Sequence, residues 1–224
     1  MTLGVPRVHL RLADSTNARA RDLAARGAPH GTLVTAAEQS AGRGRQGRTW
    51  VAPPGRALLC SLLVREPPRL LPLAAGVAVA EVVGPEAQLK WPNDVLVRAR
   101  KVAGILVEGR PQERWAVVGI GLNVAVQKWD FPPELRDLVG TLGLGPSAIE
   151  PTLSRLLIAL GRWIAADQDQ VLDAVRARDA LFGRHVRWGD GEGQAAGIDD
   201  NGRLILDTES GRVALDAGEV HLAR

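Results

Sequence analysis

Residues 40–50 read SAGRGRQGRTW, from Ser40 to Trp50. Gly42, Gly44 and Gly47 spell a G-x-G-x-x-G, with Arg43, Arg45 and Arg48 between and after them. A dinucleotide-binding turn needs a strand before it and a helix directly after it, so that pyrophosphate rests on the helix N-terminus. A strand is available at 31–37. The helix is not, because Val51-Ala52-Pro53-Pro54-Gly55 cannot continue one. No Walker phosphate loop occurs either. What remains is a glycine-loosened, arginine-bearing loop of about 17 residues, Ser40 to Arg56. Loops of that length in a compact domain usually carry function. On its own this one reads equally as a solvated basic surface, with some RNA affinity, or as a lid over an anion.

Working outward, Val8 to Leu12 alternates as a strand, and Asp14-Ser15-Thr16-Asn17 offers caps for a helix that stops at Gly27. Gly31 to Ala37 and Ala57 to Val64 are strands. Leu70 to Val83 has the composition of a buried helix. Asp94 to Arg98, Val102 to Glu108 and Trp115 to Asn123 form an antiparallel meander. Pro151 to Ala166 is an amphipathic helix, and Val171 to Phe182 continues helical. After Gly183 short strands at 185–188, 194–198, 203–207 and 212–215 alternate with turns such as Gly189-Asp190-Gly191 and Asp200-Asn201-Gly202. That order gives an α+β domain, helices on a mixed sheet, followed by a small β-barrel.

Composition narrows the classes. The net charge is +3, too small for wholesale nucleic-acid wrapping. The single cysteine, Cys60, lies in an apolar run, rules out an internal disulfide and suits a reducing compartment. The four histidines show no metal-ligand spacing. The N-terminus lacks a signal-peptide core, and no apolar stretch is long enough to span a bilayer, so a cytoplasmic protein is expected.

In this arginine-rich chain the lysines are Lys90, Lys101 and Lys128 alone. Lys101 opens the apolar strand Val102–Val107, either as a snorkelling strand end or as a cation held at a pocket rim. Lys90-Trp91-Pro92-Asn93-Asp94 reads as strand, turn, strand. Its Asn93 and Asp94 are a structural turn or polar groups facing a phosphate or its Mg²⁺. In Gly119-Ile120-Gly121-Leu122-Asn123 the glycines permit close approach of a ligand or another backbone.

Five segments, in order and at matching spacing, resemble the biotin protein ligases. They are Asp14–Asn17, Gln39 with Gly42–Trp50, Lys90–Asp94, Lys101–Glu108 and Gly119–Asn123. The likeness is close over roughly residues 14–125. It implies a ligase domain similar to class II aminoacyl-tRNA synthetases at 1–182 and an SH3-like β-barrel at 183–224. It also implies a two-step reaction: biotin and ATP give biotinyl-5′-AMP, then a lysine of a biotin carboxyl carrier domain of acetyl-CoA carboxylase is acylated.

By that resemblance Ser15, Thr16, Asn17, Gln39, Gly42, Arg43, Gly44, Arg45, Lys101 and Gly104 belong to the biotin site. Arg45, Arg48, Trp50, Asn93, Lys101 and Asn123 belong to the ATP or adenylate site. Lys101, with Arg43 and Asp94, is the candidate catalytic set, and Mg²⁺ would accompany the ATP phosphates near Asp94. About 13 residues precede the first motif, so no DNA-binding domain and no operator binding are expected. The resemblance allows a homodimer. A lipoate or octanoate transferase of the same fold, and an RNA-binding module, are the rival readings.

Overall fold

A computed structural model gives the structure of the chain and describes residues 3–189 and 191–222. Strand β1 (Arg7–Ala13) is followed by helix α1 (Thr16–Ala25) and by β2 (Leu33–Gln39), which runs parallel to β1. Ser15 caps α1, its Oγ accepting from the Ala18 N–H, and Gly27 turns the chain away at φ 83°. Next come β3 (Ala57–Arg65) and α2 (Leu71–Val83). The meander follows as β4 (Ala87–Lys90), β5 (Asp94–Val97), β6 (Arg100–Arg110) and β7 (Trp115–Asn123). The sheet order is β1-β2-β3-β7-β6-β5-β4, antiparallel except for the β1–β2 pair. The mixed sheet flanked by helices is thus as expected.

Residue alternation divides the two faces. From β3, Leu58, Cys60, Leu62 and Val64 join one core with α2 and with α3 (Ile149–Ile164). Leu63 points the other way, with Val117 of β7, against Ala20 and Ala24 of α1. Burial pushes the Cys60 thiol up to about 12, so it acts as a small apolar filler.

One helix is shorter than its sequence suggests. Helix α4 runs from Gln168 to Arg176 and not on to Phe182. The following residues leave the helix to pair with the edge of β4. The Leu89 N–H donates to Arg178 O (2.7 Å) and the Ala180 N–H donates to Leu89 O (2.9 Å). Asp179 stabilises the departure by accepting from the Leu181 N–H at 2.8 Å. Open backbone groups on a sheet edge outcompete another helical turn there.

The C-terminal part contains β8 (His185–Trp188), β9 (Gly191–Ile198), β10 (Leu204–Thr208), β11 (Gly211–Leu215) and a short β12 (His221–Leu222) that the sequence did not announce. They form an antiparallel sheet in the order β11-β10-β9-β8-β12. Where a barrel was expected, no ladder among the described residues closes β11 onto β12. In the Gly189-Asp190-Gly191 turn, Asp190 lies outside the described residues. The 200–202 turn is capped by Asp199 Oδ1, which accepts from the Asn201 and Arg203 N–H groups at 2.9 and 2.8 Å. Among the described residues no helix is long and apolar enough to cross a membrane.

Candidate active site

The site lies on the α1 face of the central sheet, where β6 and β7 lack side chains. Gly104 pairs with Gly121 and Leu106 with Gly119. A Cβ on Gly121 would land in the Trp50 indole, and one on Gly119 in the Asn17 amide. A Cβ on Gly104 would press to 3.2 Å on both the Trp50 ring and Lys101 Cε. The strand glycines therefore do make room, and what they admit is side chains from a loop and a helix.

One end of the resulting cavity is polar and fixed. Ser15, Thr16 and Asn17 are buried at the start of α1. The Thr16 N–H and hydroxyl donate to Gln39 Oε1 at 2.7 and 3.1 Å. The Asn17 amide accepts from Ser61 Oγ (2.6 Å) and donates to Leu106 O (3.2 Å) and Glu108 Oε2 (2.8 Å). Arg21 in turn holds Glu108 at 2.7 Å. Ser61 and Arg21 fall outside the five segments, and Glu108, which ends one of them, was given no role there; the three reach the Asn17 amide only through the fold.

The glycine loop forms a narrow hairpin. The Trp50 N–H donates to Gly42 O (3.0 Å) and the Gly44 N–H to Arg48 O (2.7 Å). A single 3₁₀ turn, Arg45–Gly47, closes the tip, with Gln46 and Gly47 at φ 53° and 75°. Any Cβ on Gly42 would strike the Trp50 carbonyl. Gly42 thus serves backbone approach inside the hairpin and does not line the cavity. Arg43, Gly44, Arg45, Arg48 and Trp50 do.

The other end is cationic. Lys101 Nζ stands 2.6 Å from Asp94 Oδ1, an ion pair without the alignment of a hydrogen bond, and 5.8 Å from the Trp50 ring centre. Arg45 donates to Asn93 Oδ1 (3.2 Å), and Asn93 donates onward to Ile105 O (3.1 Å). Burial lowers the pKa of Arg45. Arg48 pairs with Glu219, whose other oxygen lies 3.3 Å from His221 Nε2. Gly218, Glu219 and Val220, between β11 and β12, complete the wall. Nothing local in the sequence marks Glu219 as a partner for Arg48. Asn123 lies elsewhere. It is buried, donates to Gly140 O at 2.9 Å and does not line the cavity.

The lining includes Arg43, Arg45, Arg48, Lys90 and Lys101 against two carboxylates, Asp94 and Glu219. A neutral hydrogen-bonding slot that opens into surplus positive charge defines an enzyme-like cleft for a small polar molecule and a polyanion, built on an α+β fold. The chain belongs to the Biotin/lipoate A/B protein ligase family, whose signature matches residues 10–124, and residues 181–222 match the Biotin protein ligase C terminal domain. It is 38% identical to the biotin–acetyl-CoA-carboxylase ligase of Mycobacterium tuberculosis, over 92% of this chain and 85% of that protein. The ligase of the same name from Paracoccus denitrificans is 37% identical, over 94% and 98%. Among solved structures, the biotin protein ligase from Aquifex aeolicus in complex with biotin and ATP superposes with a TM-score of 0.79 at 29% identity, covering 97% of this chain and 98% of that one.

Proposed function

We propose that the chain joins biotin to a lysine of a biotin carboxyl carrier domain in two steps through biotinyl-5′-AMP. The observation that carries this reading is the polarity of the cleft: fixed neutral hydrogen-bonding groups at one end, a surplus of guanidinium and ammonium groups at the other.

In the first step a biotin carboxylate oxygen bonds to the α-phosphorus of ATP, the bond to the β-phosphate bridge breaks, and pyrophosphate leaves. Two anions must meet, so the chief requirement is fixed positive charge where they touch. Lys101 is the group for that junction. It lines the cavity, paired with Asp94 and next to Gly104 and Trp50. Arg45 and Arg48 face the phosphates and Trp50 the adenylate. Ser15, Thr16, Asn17 and Gln39 hold the biotin head. The carboxylate is already ionised near neutral pH, so no base is needed here. In the second step the acceptor amine attacks the acyl carbon and AMP leaves.

Among the described residues no three His, Cys, Asp or Glu side chains gather to hold a metal. The donor set near Asp94 suits Mg²⁺ arriving on the ATP phosphates, since that ion commonly uses one carboxylate plus substrate oxygens. The acceptor is the carrier domain of acetyl-CoA carboxylase, the enzyme for which the relatives from Mycobacterium tuberculosis and Paracoccus denitrificans are named.

The test is isotope exchange between ATP and pyrophosphate with biotin, with lipoate and with no acid. Exchange that requires biotin is the expected result. Exchange driven by lipoate would move the reading to the sister activity. No exchange, together with RNA binding of steep salt dependence, would overturn it in favour of a basic binding module.

A further inference from the structure

The amide of Asn17 can sit only one way round. Its nitrogen faces Leu106 O at 3.2 Å and Glu108 Oε2 at 2.8 Å. A backbone carbonyl only accepts. Glu108, partner of the Arg21 guanidinium at 2.7 Å, is a carboxylate and also only accepts. Both amide protons are therefore spent, and the oxygen must point the other way. It takes the Ser61 proton at 2.6 Å and lies against Gly119, where an added Cβ would strike it. Asn17 and Gly119 both line the cavity, and one lone pair of that oxygen remains open after Ser61 is served. Arg21 follows Asn17 by one turn of α1, so a single helix face carries the amide and the brace for its partner. The neighbouring amide has the opposite sense. Gln39 Oε1 accepts from the Thr16 N–H at 2.7 Å, which leaves Gln39 Nε2 as a donor beside Gly42. The slot thus offers an acceptor at Asn17 and a donor at Gln39. A cyclic urea, whose N–H groups flank a carbonyl, is the complement of that pair.

We propose that Glu108, braced by Arg21, is a positioning residue: it holds the Asn17 oxygen toward the substrate and so sets the slot to receive a ureido N–H. This rests on the ligase reading above. Glu108 acts through Asn17 and not on the reacting atoms. Without it the amide keeps only the longer contact, to Leu106 O, and is free to swing.

The experiment separates positioning from mere support. Glu108→Ala should weaken calorimetric binding of biotin about tenfold, the usual worth of a hydrogen bond to a charged group. In pyrophosphate exchange the KM for biotin should rise by the same factor, with kcat and the KM for ATP unchanged. Desthiobiotin, which keeps the urea and lacks the thioether, should lose as much. Glu108→Gln, whose amide oxygen can still accept from Asn17, should restore most of the affinity although it cannot pair with Arg21 as an ion. Unchanged biotin affinity in Glu108→Ala would overturn the assignment. So would a parallel loss in kcat or in the KM for ATP, or a Gln variant as weak as the Ala variant, since each would make Glu108 a strut of the fold. A loss for biotin but not for desthiobiotin would also overturn it, by moving the effect to the sulfur ring. If the wild-type protein itself bound no biotin, the ligase reading would fall first, a result distinct from a difference between variants.

Discussion

At the scale of single residues, the cleft works because a few side chains are fixed before any substrate arrives. Lys101 is held between Asp94 and the Trp50 ring, so in the proposed first step its charge would need little reorganisation. Removing one such pre-placed group typically costs a factor of about 10² to 10³ in rate. Lys101→Ala is therefore expected to cut biotin-dependent pyrophosphate exchange by about that factor while the circular dichroism spectrum keeps its native shape. Near-normal exchange in a folded variant would remove Lys101 from the junction. The sequence signals that could be read at this scale were oddities: Lys90 and Lys101, two of only three lysines in an arginine-rich chain, and two glycines inside an apolar strand. Those glycines advertised a close approach, but not what approached. That the visitors are Trp50 and Asn17 depends on a hairpin and a helix start that only the folded sheet brings together.

At the scale of elements, periodicity is local, so strands such as β3 and β7 and helices α1 and α3 were legible, while the parallel pairing of β1 with β2 was not. The end of α4 was not. Residues 177–180 have ordinary helical composition, and they leave the helix because the backbone of β4 offers partners from far away in sequence. The glycine loop was likewise legible as cationic and functional, but not as a hairpin with a Gly42–Trp50 backbone pair. Its glycines serve close packing as much as mobility. The loop still has to admit substrates and then keep water from a hydrolysable anhydride. At its tip the loop is tied by side chains, Arg45 to Asn93 and Arg48 to Glu219. Polyphosphate bound against these arginines should hold the loop closed. Limited trypsin digestion should cut after Arg43, Arg45 or Arg48 in the free protein, and biotin with ATP should suppress those cuts. Equal cleavage rates with and without ligands would rule out ligand-driven closure.

At the scale of the whole molecule, the match of residues 181–222 to the C-terminal domain of the family suggests a separable module, while the packing argues otherwise. Leu204, Leu206, Val186 and Val220 belong to the same buried cluster as Leu70, Leu73 and Leu181. Gly202 sits so close to Leu70 and Leu73 that an added Cβ would press on both at under 3 Å. The Trp91 indole, in the Lys90–Asp94 turn, donates to Gly202 O at 3.0 Å. Arg69, Gln168 and Arg176 all reach the 198–201 backbone. A boundary at residue 182 therefore cuts through one core and also removes the Gly218–Val220 wall of the cleft. The full chain should unfold in one calorimetric transition, with a van't Hoff enthalpy equal to the calorimetric value of about 150 kcal/mol near 60 °C that its length implies. A fragment ending at 182 should expose Leu70, Leu73 and Leu181, bind hydrophobic dyes and lose biotin-dependent exchange. Two resolved transitions, or a fragment that melts as the whole chain does, would mean that the small sheet is an appendage and that Glu219 reaches Arg48 without sharing in the fold.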